Sequence, residues 1–344
     1  MIDHWFLSRP KRKLNSIPEV LTTFADISLN QQWAGQRDSH LSLEEALEKA
    51  GLKRVGERRD QGGSGARTYG AWVKSLGLIF TQESTGKTML TLAGEAIMAG
   101  DSPVEVLKGQ ILKFQYPSAY SIGRGVQISR RFKIRPFRFL LRLLMDDRVG
   151  YLTQEEISKI VAVEAENESE KCYENVVNRL HEFREKGDRC LAADFEEVHG
   201  TFSNMSDNAN VFINWLEYTQ FIVREEQTVK VLEEKKAEIS AILATVPAFI
   251  DRPESEEYFQ RKYGLDPKHK KDTRNLTATK TITAKIIAEQ KIRKYLVDNN
   301  FIVTYKNEGQ YKKIDVEEIE RLKTTNAKPN EETNSFYNGG YPKR

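Results

Sequence analysis

Cysteine is almost absent from this 344-residue chain: Cys172 and Cys190 are the only two, and neither belongs to a Cys-x-x-Cys pair or stands near a histidine pair. That spacing supports neither a disulfide framework nor a zinc site. Long apolar runs are missing too, and nothing approaches the ~18 residues that a bilayer-spanning helix needs. The opening MIDHWFLSRPKRK places its charges after a short apolar part and has no small-residue cleavage site, so it does not read as a secretion signal. A cytoplasmic protein without membrane contact is the expectation. The glycine-rich run RRDQGGSG (58–65) lacks the Gly-Lys-Ser/Thr ending of a nucleotide-binding loop. Acids are absent from 123–142, where Arg124, Arg130, Arg131, Lys133, Arg135, Arg138 and Arg142 stand without a single Asp or Glu.

What is present is a soluble composition, 39% hydrophobic and 30% charged, in a chain long enough for two or three domains. Its net charge of +3 conceals an uneven distribution. Residues 1–150 hold 23 Lys and Arg against 15 Asp and Glu, 151–250 hold 10 against 20, and 251–344 hold 20 against 15. A basic front and back around an acidic middle direct the search for a polyanion partner to the front.

The most informative stretch is 54–93. Apolar residues at Tyr69, Trp72, Val73, Leu76 and Leu78 recur at helical spacing, and Gly77 supplies a stop. Alternating residues on either side of Ser84-Thr85-Gly86-Lys87 predict a hairpin, and 41–51 predicts a preceding helix with Gly51 as its stop. Helix, turn, helix, hairpin is the outline of a winged helix. In front of the second helix, Arg58, Arg59, Ser64, Arg67 and Thr68 combine free backbone N–H groups with guanidinium groups, which suits phosphates or guanine edges; Lys74 lies on the same helix. A flexible glycine loop beside solvated charges remains the alternative.

Other segments read in the same way. Short helices are expected at 17–24, 92–98 and 103–114, the last stopped by Pro117, and Trp33 is expected to be buried. FRFLLRLLM is expected to be a buried helix with its arginines outward. Thr153-x-x-Glu156 is a capping box, and 164–185 is an acidic amphipathic helix with Val176, Val177, Leu180 and Phe183 inward. The first pattern then returns: Trp215, Leu216, Phe221 and Ile222 match Trp72, Val73, Leu78 and Ile79, and alternation follows to Val231. A fainter third copy spans 295–314, and the composition from 326 is that of a linker.

These readings define a mainly α fold with small β-hairpins (α+β), built from tandem winged-helix-like subdomains. The divisions are 1–150, 151–250 and 251–325, with 326–344 as linker or tail. Candidate groove contacts are Arg58, Arg59, Ser64, Arg67, Thr68 and Lys74 from the first copy, with Asn204 and Asn208 from the second. Candidate phosphate contacts are Lys11, Arg12, Arg124, Arg130, Arg131, Lys133, Lys270 and Lys271.

The runs WFLSRPKRKL (5–14), GERRDQGGSGARTYGAWVKSLGLIF (56–80), LTLAGEAI (90–97) and ILKFQYPSAYS (111–121) resemble the AlwI family of type IIS restriction endonucleases. A more distant resemblance is to the recognition half of FokI, and the likeness extends over about 5–322. It implies double-stranded DNA as partner, a cognate DNA methyltransferase as genetic neighbour, and a nuclease domain of the PD-(D/E)XK type that uses Mg²⁺. In this chain the nearest match to that metal site is Glu233-Glu234-Lys235-Lys236, which reads better as a charged helix face. No catalytic residue and no cofactor is therefore assigned to the chain, and cleavage is expected from a C-terminal or partner domain. A non-enzymatic winged-helix transcriptional regulator is the alternative, and an interaction scaffold is a third class.

Overall fold

The computed structural model describes residues 1–7, 10–56, 62–118, 127–251 and 254–274. Arg58, Arg59, Arg124, the third copy at 295–314 and the tail lie outside the described residues.

In the first half, helix α1 (Ile17–Ser28) starts with Pro18 in its first turn, where a missing N–H costs nothing, and buries Ile17, Val20, Leu21 and Phe24. Helix α2 (Arg37–Lys49) buries Leu43 and Leu47, and Gly51 at φ +69° turns the chain beyond it. Helix α3 (Ser64–Ser75) buries Tyr69, Trp72 and Val73 and is followed by Gly77 at φ +70°. Strands β1 (Ile79–Thr81) and β2 (Thr88–Leu90) pair antiparallel, Ile79 opposite Leu90. The segment after α1 reaches back to this hairpin through bridges from Leu29 to Thr88 and from Gln32 to Lys87. Helix α4 (Leu92–Met98) is capped by the Thr91 hydroxyl, which accepts from the Gly94 N–H at 3.1 Å, and α5 (Pro103–Lys113) follows.

The second half opens with α6 (Pro136–Met145) and β3 (Leu152–Thr153). The capping box forms as expected: Thr153 Oγ1 accepts from the Glu156 N–H at 3.1 Å and Glu156 Oε2 accepts from the Thr153 N–H at 2.7 Å. It launches α7 (Gln154–Glu156), a π-helical turn (Ile157–Val161) and α8 (Ala162–Glu164). Then come α9 (Glu170–Lys186), α10 (Phe195–His199) and the long α11 (Phe202–Tyr218). Strands β4 (Ile222–Glu225) and β5 (Thr228–Val231) form a sheet with β3, in the order β3-β5-β4. Helices α12 (Lys236–Ala244) and α13 (Glu256–Tyr263) complete the described chain.

The internal repeat is visible in these elements. Ile79 and Ile222 each begin the first strand of a hairpin, and Trp72 and Trp215, seven residues earlier, are both completely buried. In each half an upstream segment also bonds to the second hairpin strand, Leu29 and Gln32 in one case and β3 in the other. Among the described residues the main hydrophobic core includes residues from Trp5 to Tyr263, with a small separate cluster of Val163, Phe195 and Met205.

Two backbone crossovers bind the halves together. Residues 2–7 lie in the second half: the Ile2 N–H donates to the Gln127 carbonyl at 2.8 Å, the Trp5 N–H to that of Ala162 at 2.9 Å, and the Trp5 indole to that of Ala165 at 2.9 Å. Conversely, α13 returns to the first half. Gln260 donates to the Lys74 carbonyl at 2.8 Å, and the Ala93 N–H donates to that of Gly264 at 2.8 Å. A Cβ at Gly264 would fall 2.4 Å from the Gly77 oxygen, so only glycine fits this joint.

Candidate nucleic-acid interface

The start of α3 is shaped by how closely it crosses α2. Gly63 precedes the helix at φ +72°, and a Cβ there would lie 2.7 Å from that of His40. A Cβ at Gly65 would meet Glu44 Oε1 at 2.5 Å. The glycines read from sequence as a loose loop are thus, in the described part, packing positions that press α3 onto α2. Beneath them Glu44 is 1% exposed and pairs with Lys53 at 3.2 Å, so a carboxylate of the chain itself occupies the ground next to this positive helix end. His40 Nε2 lies 2.9 Å from the Trp33 carbonyl, and burial holds this imidazole below its ordinary pKa. Gly63→Ala is expected to cost about 1–3 kcal/mol, since it combines an unfavourable backbone with a clash. Thermal unfolding checks this; an unchanged melting temperature would mean that α2 and α3 can separate there at no cost.

What α3 leaves outward is its first turn. Thr68 is exposed, its hydroxyl donating to the Ser64 carbonyl at 2.9 Å, and Ser64 and Arg67 are half-buried. The Arg67 guanidinium donates back to the Gly62 carbonyl, which orients it along the helix start. Ser64, Arg67 and Thr68 therefore share one accessible face. Lys74 does not join them. It is 7% exposed, at the far end of α3, and pairs with Glu256 of α13, so the expected groove contact is instead an internal ion pair.

The run 123–142, acid-free in sequence, meets acids from elsewhere in the fold. Its described cations, other than Arg130, find partners from elsewhere in the chain. Arg131 bonds Asp3 at 2.9 Å and Glu166 at 2.9 Å. Lys133 pairs with Asp251 at 2.6 Å, and Arg142 grips Glu170 at 2.6 Å. Arg135 is buried against Glu168, Nε to Oε1 at 2.7 Å and Nη2 to Oε2 at 2.6 Å. Arg138, expected to face outward, is 7% exposed and donates to the Ile242, Leu243 and Thr245 carbonyls at 2.9, 3.2 and 2.9 Å, closing the end of α12. Burial weighs against ionisation of Asp3, but Arg131 beside it holds the carboxyl below its ordinary pKa. Arg131 thereby fastens the N-terminal segment to the chain around Glu166. Arg130 is exposed and has no ion-pair partner among the described residues.

Around α11 the expected polar residues divide. Asn204 is exposed in the first turn. Asn208 is 3% exposed: its Oδ1 accepts from the Leu7 N–H at 3.1 Å and its Nδ2 donates to the Trp5 carbonyl, so it clamps the N-terminal segment and is withdrawn from any groove. Lys11 is half-buried, and Arg12 projects to the same end of α11, its Nη2 2.7 Å from Asp207 Oδ1. Asp207 was missed in the sequence because its partner is 195 positions away. Lys270 and Lys271 are exposed and line a cavity of about 430 Å³ with Tyr258, Arg261 and Lys262.

Glu233 and Lys235 lie in a 3-10 turn leading into α12, and Lys236 pairs with Glu233 at 2.7 Å. Among the described residues no group of three His, Cys, Asp or Glu side chains could hold a metal, and no helix is long and apolar enough to cross a membrane. Cys172 and Cys190 are free thiols.

Comparison with known proteins relates the chain to a family and to solved structures. The family model described as AlwI restriction endonuclease matches residues 74–337. Among solved structures, the chain is similar to the BpuJ1 endonuclease binding domain, crystallised in complex with pyrene- and phenanthrene-modified DNA, at 14% identity and a TM-score of 0.55. That match covers 77% of this chain and 96% of the other, and the likeness is one of fold. No curated protein matches.

Proposed function

Since this chain belongs to the AlwI restriction endonuclease family, we propose that its described body reads an asymmetric site in double-stranded DNA. The outward first turn of α3, with Ser64, Arg67 and Thr68 on one face, is the observation that carries this reading. A helix start of this kind presents short polar groups and a guanidinium at the width of the major groove. The two helix-and-hairpin units act as winged helices, and together they span more base pairs than either alone. Along the sequence the divisions fall at about 150, 250 and 325, with residues 2–7 and α6 packed on the second unit and α13 on the first. Arg58, Arg59 and Arg124, with Lys11, Arg130, Lys270 and Lys271, supply the backbone contacts or flank the reading face.

Cleavage, in this reading, belongs to a Mg²⁺-dependent PD-(D/E)XK domain at the C-terminal side or on a partner subunit, and it falls outside the recognised bases, as in type IIS enzymes. The enzyme works in the cytoplasm beside a cognate methyltransferase that protects the host's copies of the site.

Selection of bound duplexes from a random pool at physiological salt tests the reading. A single non-palindromic motif is expected. Arg67→Ala should then lose about 1–3 kcal/mol of discrimination at one base pair. By contrast, Arg130→Ala should weaken all duplexes alike and lower the salt slope by about one. Equal losses for Arg67→Ala on cognate and random DNA would remove its base-reading role. A palindrome bound by a dimer would point to a transcriptional regulator instead.

A further inference from the structure

The two winged units differ in where their arginines come from. The first carries Arg67 in its own helix. Counting back from the strand starts Ile79 and Ile222, Arg67 corresponds to Asn210 and Ser64 to Asp207. Asn210 cannot serve as a substitute reader, because its Oδ1 accepts from Arg224 Nη1 at 2.9 Å and is half-buried. Indeed α11, FSNMSDNANVFINWLEY, contains no lysine or arginine at all. At the position equivalent to Ser64, however, stands Asp207, and Arg12 of the N-terminal arm is held against it at 2.7 Å.

We infer that Arg12 is the guanine-reading residue of the second unit, supplied by the N-terminal arm and positioned by Asp207. This rests on the DNA-recognition reading above and assigns a specificity residue within it. Both side chains are accessible, at 55% and 45% exposure, so the pair adds little to folding stability. Its physical consequence is orientation. Asp207 engages one Nη2 donor, and a guanidinium has five N–H groups in a rigid fork, so donors remain for the O6 and N7 acceptors of a guanine. The carboxylate also argues against the phosphate role expected from sequence, because an anion approaching Arg12 meets the negative charge of Asp207 at close range. An uncharged base edge, whose acceptors carry only partial charges, meets a weaker repulsion. Exposed Ser203 and Asn204, one turn earlier on α11, extend the same polar face.

The test uses the full chain and a random duplex pool. Wild-type protein defines the motif, and Arg12→Ala, Arg12→Lys, Asp207→Ala and the double variant Arg12→Ala/Asp207→Ala are selected in parallel. For Arg12→Ala, a roughly 5- to 140-fold loss of discrimination is expected at one G·C pair, distinct from the pair affected by Arg67→Ala. Arg12→Lys should fail to restore it, since an ammonium lacks the two-pronged geometry. Asp207→Ala should affect that same pair, and the double variant should lose no more than Arg12→Ala alone. An unchanged motif for Arg12→Ala overturns the assignment. So does a uniform loss on all duplexes with a salt slope lowered by about one, which marks a phosphate contact. If the wild-type protein selects no motif, the recognition reading itself falls, and this assignment with it.

Discussion

Arg135→Ala is expected to remove about 3–5 kcal/mol of folding stability, because it leaves the Glu168 carboxylate at a part-buried position without its bidentate partner. Arg135 bonds both Glu168 oxygens and also donates to the Pro247 carbonyl, so one side chain ties α6 to the approach of α9 and to the chain after α12. A native domain has only about 5–15 kcal/mol in hand, so this loss approaches the limit for folding at growth temperature. Denaturant unfolding measures it directly. The residue comes from a run that looks, on charge alone, like a DNA contact, so the second half of the prediction matters equally. The folded fraction of Arg135→Ala should bind DNA with an unchanged salt slope. A slope reduced by about one, with stability intact, would return Arg135 to the phosphate-binding class. Arg135→Met/Glu168→Leu, which removes both charges, should recover most of the loss, since replacing a buried pair with apolar groups is frequently neutral.

Trp215→Ala is the second large effect, at about 3–5 kcal/mol for deletion of a large aromatic side chain from a packed core. The indole stacks on Phe137 with centroids 5.9 Å apart and planes 4° apart, and meets Phe114 edge-on at 6.1 Å. It is the place where α5, α6 and α11 are held together, so its removal also frees the helix that presents Asp207. Trp215→Phe should cost far less than alanine. Phenylalanine keeps the stacking face and discards an indole N–H that is buried without a partner among the described residues. A loss below about 1 kcal/mol for Trp215→Ala would show that the core refills the space, contrary to the usual incomplete relaxation.

Where the signal is local, much of the sequence was readable, although the helix expected over 164–185 begins only at Glu170 and the one expected over 17–24 runs on to Ser28. Pro103 marks a helix start, Gly51 and Gly77 mark stops, and Thr153 with Glu156 forms its box, because each feature acts within one turn of backbone. The repeat was legible for a related reason: a buried tryptophan and the start of a strand seven residues later are positions the core constrains in both units. Charge was not legible in the same way. Counting acids within 123–142 says nothing about Glu166, Glu168 and Glu170, which arrive from beyond the next helix and meet that run across the fold. Lys74 and Asn208 share this fate, since their helix positions are polar in pattern and only tertiary packing puts Glu256 on one and the Trp5 carbonyl on the other. Thr68 is exposed and Arg67 half-buried on the outer side of the first turn of α3.

The seat of the first seven residues has a consequence for biosynthesis. Trp5 and Leu7 dock on Ala162, Ala165 and Asn208, which are synthesised much later than they are. Until then these apolar side chains have no native shelter, even in a nascent chain that holds the complete first hairpin. Final closure is therefore a late event in translation, and the arm that bears Arg12 is drawn into place only when the helix it serves has been synthesised.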